Sequence, residues 1–543
     1  MDCYPPKRSS SKSVLRLIAR AAGLSVLGFA GPFALQAQSF TTDDPVVRRI
    51  WEVGMEHSQT EALAQVLMDS IGPRWGGTPN LGSAQDWLVQ VYASWGVPAR
   101  KEQYGTDLGW EQGILHVDLI APRVQSLEAK MWAFSPSTGG PVEGAVIALP
   151  SVAPIDVDPA RWLPLVKGKW VLTVPPEPTC RPDQNLEQLA RPETVERLKS
   201  LREENQIWRR RRLAEAGGGA AWEHMLDSAG ALGIIWSQFR GWGTFPAFEA
   251  VQDLRIPYIS LSCEDYGLVY RLAKNNQHPK LRIEVEAERG GQVPQFNVVA
   301  ELNGAELPNE YVVLSAHLDS YHGATGATDN GTGTIAMLEA MRILKETYPN
   351  PRRTILVGHW GAEEIDFAGS LTFREDHPEV VEGLQALFNQ DTGTWRIDRI
   401  EGQSLLYAGQ HIGRWISLVP REISGHVTLM FPGTQTDQGT DHMPFVCVGA
   451  PAFNLASPMD EYRQYTHHTN RDTYDKIVFD DLKENASLVA MLAYAASEDP
   501  ERVPRDRAVL PIDPDTGEPR EWFGAVAGSR EAEFCDRRRG HNE

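Results

Sequence analysis

The chain has 543 residues, 42% of them hydrophobic, and a formal charge of −20 at neutral pH. That length exceeds what one hydrophobic core organises and predicts two or three domains. The acidic balance excludes nucleic acid as a partner, because phosphate binding needs a basic surface and no basic stripe offsets the acids.

Residues 1–20 carry Lys7, Arg8, Lys12, Arg16 and Arg20 against one acid, Asp2, and an apolar run covers 21–35. The run is too short to span a bilayer and small Ala37 precedes Gln38, so residues 1–37 read as an export signal cleaved near Ala37. The mature protein is expected to be secreted or periplasmic, with no stable membrane anchor. Cys3 leaves with the signal. Cys180, Cys263, Cys447 and Cys535 lie far apart without C-x-x-C spacing; an oxidising compartment permits their pairing, which sequence does not assign.

Residues 38–113 read as a helical N-terminal part of the main domain, with Trp51, Met55, Leu63, Leu67, Trp87, Leu88 and Trp95 at helical spacings. Most tryptophans here, Trp51, Trp75, Trp87, Trp95 and Trp110, are expected in the core. From 114 to 291 the texture changes. Short apolar runs over 142–149, 169–174, 231–236 and 256–261, separated by Gly and Pro, predict a β-rich insert with a charged helical excursion at 186–216. The cationic run 209–212, with Glu203, Glu204 and Glu215 around it, reads as a solvated helix face.

From 292 to 498 strands alternate with helices. The runs 311–315, 354–358, 384–389 and 450–455 have buried-strand length, with amphipathic helices over 334–345 and 481–496. This predicts an α/β fold, a three-layer α/β/α sandwich with a largely parallel central sheet, whose ligands bind beyond the carboxyl ends of the strands. Residues 499–543 form a polar tail.

Acids and imidazoles collect where those strands end. His317 and Asp319 come after the first, Asp329 precedes the next helix, Glu363 and Glu364 come after the second strand and Asp391 after the third. Ionised carboxylates crowded together repel one another and resist desolvation unless cations neutralise them. Imidazole and carboxylate donors suit zinc. Adjacent Glu363 and Glu364 point in different directions, so one can bind metal while the other faces water. Asp319 can orient the His317 ring.

His317-Leu318-Asp319, Gly326-Ala327-Thr328-Asp329-Asn330-Gly331-Thr332-Gly333, Ala362-Glu363-Glu364 with Gly369-Ser370, Asn389-Gln390-Asp391, Thr440-Asp441-His442-Met443-Pro444-Phe445 and His468-Thr469-Asn470-Arg471-Asp472-Thr473 stand in this order. The set resembles the co-catalytic zinc aminopeptidase and glutamate carboxypeptidase family. Ile71-Gly72-Pro73-Arg74, Trp95-Gly96 and the insert resemble its plasma glutamate carboxypeptidase (carboxypeptidase Q) branch, in which the insert would be a protease-associated domain.

The resemblance implies two zinc ions per chain, bridged by Asp329. His317 and Asp391 would complete one site, and Glu364 and His468 the other, with Glu363 as general base and acid. It also implies a cis peptide at Asp329–Asn330. Asp319, His467 and Asp441 are candidates for supporting the ligands or an oxyanion. His468 is taken as the ligand over His467 because it aligns with His-Thr-x-x-Asp-Thr. The expected activity is exopeptidase action on dipeptides or short peptides with a free N-terminus. The alternatives are a carboxypeptidase for acidic residues, a glutaminyl cyclase, and a non-catalytic receptor or binding module of the same fold. The branch also suggests a homodimer.

Overall fold

The computed structural model describes residues 42–152, 157–433 and 439–508, together with Ile512, Gly517 and Cys535. The expected export signal and most of the polar tail lie outside the described residues. No described helix is long and apolar enough to cross a membrane.

Fourteen strands join in one sheet. In chain order they are β1 (Ala99–Ala121), β2 (Gln125–Ser126), β3 (Ala129–Met131), β4 (Val142–Ala148), β5 (Lys169–Leu172), β6 (Gly233–Trp236) and β7 (Tyr258–Leu261). Then come β8 (Lys280–Leu302), β9 (Leu307–His317), β10 (Arg353–Trp360), β11 (Leu384–Asn389), β12 (Arg399–Glu401), β13 (Thr428–Met430) and β14 (Ala452–Ala456). The order across the sheet is β13-β12-β14-β11-β9-β10-β8-β4-β5-β6-β7-β3, with β1 paired to β8. The fold is mixed α/β with a large, mostly parallel sheet. In the C-terminal half β10, β9, β11 and β14 run parallel, and β8 and β12 flank them antiparallel.

The continuous apolar runs are the interior strands because helices cover them. Every residue of β10 and β11 is buried, as expected of parallel strands. The helix Thr332–Thr347 is buried from Thr332 to Leu344 and packs on the helix Phe479–Glu498. The N-terminal helices Pro45–Trp51 and Thr60–Gln65 close over the same pair. Of the five N-terminal tryptophans, Trp51, Trp75 and Trp110 are buried, while Trp87 and Trp95 are partly exposed.

The insert departs from its expected texture. Its strands β4 to β7 form a short parallel unit interleaved with the helices Asp183–Leu189, Pro192–Ala216, Gly219–Ser228 and Cys263–Lys274. Helix therefore outweighs strand: Asp183–Leu189 and Pro192–Ala216 form the helical excursion expected at 186–216, and Gly219–Ser228 and Cys263–Lys274 add helix that the short apolar runs do not reveal. β1 and β8 form a long antiparallel ribbon that runs across residues 113 and 291. Glycines there look like breaks in the sequence, but Gly105 and Gly113 sit at register shifts, where an irregular strand continues.

The cationic run also differs from expectation. Arg209, Arg210 and Arg211 are exposed, but Arg212 is 1% exposed. It lies one turn beyond buried Trp208 and pairs with Glu215 at 2.6 Å. The four cysteines form two disulfides, Cys180–Cys263 and Cys447–Cys535.

Candidate metal centre

The carboxyl ends of the parallel strands deliver the cluster. His317 is the last residue of β9, Glu363 and Glu364 open the short helix Glu363–Asp366 after β10, and Asp391 lies two residues beyond β11. Asp329 belongs to the turn Ala327–Gly331, whose Asp329–Asn330 peptide is cis. The turn is fastened on three sides. Asn330 Nδ2 donates to the Gln390 carbonyl at 2.8 Å. Asp472 accepts the backbone N–H groups of Thr328 and Asp329 at 2.7 and 3.0 Å. Buried Arg74 donates to the carbonyls of Leu318, Thr325 and Gly326 at 2.7, 2.7 and 2.9 Å. A Cβ at Gly333 would collide with Asn330 Oδ1 and the Gln390 carbonyl, so only glycine permits the approach.

Asp329 sits between two imidazoles. Its Oδ1 is 3.5 Å from His317 Nε2, and its Oδ2 is 3.1 Å from His468 Nε2. Each imidazole has a further carboxylate: Asp391 Oδ1 lies 3.2 Å from His317 Nε2, and Glu364 Oε2 lies 2.9 Å from His468 Nε2. Glu363 Oε2 is 3.9 Å from His317 Nε2. Asp319 accepts the backbone N–H groups of Glu363 and Glu364 at 3.3 Å each, and its carbonyl oxygen lies 3.1 Å from His317 Nδ1. It thus holds both the ring and the turn that presents the glutamates.

The doublet separates by distance. His467 Nε2 is 3.8 Å from Asp329 Oδ2, farther than His468, and its ring stacks on His468 at 3.7 Å. Tyr321 covers His468 at 4.1 Å. Asp441 is buried and accepts the Ser370 hydroxyl at 2.6 Å; it braces the wall behind the cluster.

The electrostatics are those of a crowded acid site. Burial pushes Glu364 up to about 7 and Asp441 up to about 8, and drives Glu363 well above the usual carboxylate range. Burial disfavours a charged His468, but Glu364 and Asp329 outweigh it and raise the ring to about 10. Burial likewise opposes a charged His317, and Asp391 and Glu363 overcome it. Burial lowers His467 to about 4, leaving that ring neutral.

These residues fit divalent cations. Glu364 Oε1 is buried without a hydrogen-bond partner among the described residues, and Asp329 Oδ2, though 3.1 Å from His468 Nε2, is buried without a well-aligned one, which is costly unless something else binds them. Donor atoms of His317, Asp329 and Asp391 lie within 4.8 Å of one another, as do those of Asp329, His467 and His468. The mixed imidazole and carboxylate set suits zinc. A cavity of about 510 Å³ opens over the cluster, lined also by Ile365, Phe367, Thr440, Tyr462 and Arg463.

Sequence reasoning singled out the acids and imidazoles but missed Asp472 and Arg74 as supports. Both stand inside recognisable motifs, yet a motif does not tell which backbone groups a side chain holds. Tyr321 and Arg240 had no signal: both line the site by folding alone.

Residues 297–493 match the model of peptidase family M28, so this part of the chain is an M28 peptidase domain. The chain is 24% identical over 452 residues to carboxypeptidase Q of Pongo abelii, covering 82% of this chain and 86% of that protein. It is equally identical over 461 residues to carboxypeptidase Q of Homo sapiens, with the same coverage. Among solved structures, the peptidase M28 precursor of Shewanella amazonensis SB2B superposes with a TM-score of 0.61 at 22% identity, over 84% of this chain and 97% of that one. A zinc aminopeptidase from Bacillus subtilis gives a TM-score of 0.51 at 18% identity, over 82% and 96%. These superpositions establish the fold.

Proposed function

We propose that the chain is an exported metallopeptidase that holds two zinc ions and removes single residues from dipeptides or short peptides with a free N-terminus. The observation that carries this reading is the position of Asp329, one carboxylate facing two imidazoles that each have a carboxylate of their own. His317 and Asp391 would hold one ion, Glu364 and His468 the other, and Asp329 both. Bound zinc supplies Lewis acidity that polarises the scissile carbonyl and acidifies water.

Glu363 is the remaining carboxylate at the cavity floor. It accepts a proton from the attacking water and returns it to the departing amine. His467, neutral and half-buried beside Asp329, would donate a hydrogen bond to the developing oxyanion. The complete donor set argues against a non-catalytic module. Two disulfides support an exported protein, and the insert is read as a protease-associated domain.

The test is to incubate zinc-loaded protein with a mixed dipeptide library that includes blocked amino and carboxyl ends, and to read products by mass. Cleavage only where the amino end is free supports the reading. Protein that binds no metal and cleaves nothing would favour the receptor alternative.

A further inference from the structure

One wall of the cavity over the carboxylate cluster is the sheet edge itself, where a row of polar side chains crosses neighbouring strands. Ser315 of β9 stands beside Asn389 of β11, Asn389 beside Asn454 of β14, and Asn454 beside Glu401 of β12. Asn454 lines the cavity, as does Thr440, which the row reaches through Asn389. Asp391, the proposed metal ligand, lies two residues beyond Asn389, so this wall adjoins the reacting centre.

The hydrogen bonds along the row run in one direction. Trp360 Nε1 donates to Ser315 Oγ at 2.8 Å, the Ser315 hydroxyl donates to Asn389 Oδ1 at 2.7 Å, and Asn389 Nδ2 donates to Thr440 Oγ1 at 3.2 Å. An indole N–H only donates, so the polarity is set at the Trp360 end. Thr440 is reached as an acceptor, and its own hydroxyl proton has no acceptor among the described residues. Asn454 is oriented from the other side. Its Nδ2 donates to Glu401 Oε2 at 3.0 Å, and a carboxylate accepts. That leaves Asn454 Oδ1 buried without a hydrogen-bond partner among the described residues, on a side chain 7% exposed. Such an oxygen is costly until a donor reaches it. The wall thus keeps one donor and one acceptor unused.

We infer that Thr440 and Asn454 bind an uncharged amide of the substrate, the Thr440 hydroxyl donating to its oxygen and Asn454 Oδ1 accepting from its nitrogen. The inference rests on the peptidase reading above. An amide offers one acceptor and a donor, the complement of what the wall holds. A carboxylate offers acceptors only and would meet the Asn454 oxygen with Glu401 behind it. An apolar side chain would leave both groups unpaired. The amide has two chemical sources, the side chain of Gln or Asn and a further peptide bond of a substrate longer than two residues.

Two comparisons on zinc-loaded, full-length wild type test it. Dipeptides carrying Gln, Glu or Met, alike in size, at either position read the side-chain source. A tripeptide and its analogue with an ester in place of the second peptide bond, which lacks the N–H, read the backbone source through release of the first residue. Gln is expected to exceed both Glu and Met in kcat/KM by about ten-fold or more, or the tripeptide to exceed its ester analogue by that factor. Wild type that cleaves but makes neither distinction overturns the inference and leaves the peptidase reading intact. Thr440→Val keeps the shape and removes the hydroxyl. It should shrink the preference by about ten-fold, and Thr440→Ser should restore it. A loss equal on all substrates would overturn the role of Thr440 in recognition.

If wild type cleaves nothing, the peptidase reading fails by itself. Calorimetric binding of the same peptides to Glu363→Gln then decides. Gln bound about ten-fold tighter than Glu and Met, or the tripeptide tighter than its ester analogue by that factor, supports amide recognition, and equal binding overturns it.

Discussion

Asp472 accepts the backbone N–H of Asp329 at 3.0 Å through one carboxylate oxygen, while its other oxygen takes the N–H of Thr328 at 2.7 Å. The residue proposed to bridge the metals is thus held by its own main chain. Burial, with Asp329 nearby, pushes Asp472 up to about 7; the two N–H donors favour its charged form. Groups that support metal ligands typically change affinity by about 10- to 100-fold when removed. Asp472→Ala is therefore expected to weaken zinc binding by about that factor, measured by chelator competition. Asp472→Asn, with one acceptor left, should fall between.

Glu363 carries a different expectation. Glu363→Gln keeps the shape and the metal ligands but removes proton transfer, and should lower kcat by about 100- to 10,000-fold with zinc content unchanged. Loss of zinc in this variant would make Glu363 a ligand instead.

The imidazole doublet can be separated directly. His468 lies nearer Asp329 than His467 does, and also touches Glu364. His468→Ala should lower zinc content, whereas His467→Ala should retain zinc and lose turnover. Reversed outcomes move the ligand by one position.

Much of this centre could be read before the fold was known, and the reason is physical. Parallel strands buried on both faces leave continuous apolar runs, so 311–315, 354–358 and 384–389 announced β9, β10 and β11, and the residues just beyond each run had to sit at one sheet edge. The supports were less legible. Arg74 and Asp472 act on backbone groups more than a hundred residues away in the chain, which no local pattern records. The insert was read least well. Its charged helix Pro192–Ala216 was legible, but Gly219–Ser228 and Cys263–Lys274 lie beside short apolar runs that mark only strands, and the bulged ribbon of β1 and β8 hides its length behind glycines. Arg240 gained its place only when Asn470 fastened the insert to the catalytic segment.

The insert also offers a pH-dependent stability free of the metal site. Glu223 is 8% exposed and accepts the Val251 N–H at 3.3 Å; burial raises its carboxyl to about 7. Its folded pKa lies above the unfolded value, so its contribution is fully present below about 4.3 and is lost as pH rises through 7. Glu223→Gln stays neutral throughout. Its thermal midpoint should exceed that of wild type most at about pH 8.5 and least at about pH 5. A gap that does not grow with pH would show that Glu223 ionises freely in the fold.

The central claim is a two-metal centre bridged by Asp329, and zinc per chain tests it most directly. Measured by elemental analysis after dialysis against trace zinc, wild type should hold about two ions, Asp391→Ala and Glu364→Ala about one each, and Asp329→Ala close to none. Wild type saturating at one ion, or Asp329→Ala retaining two, would contradict the account.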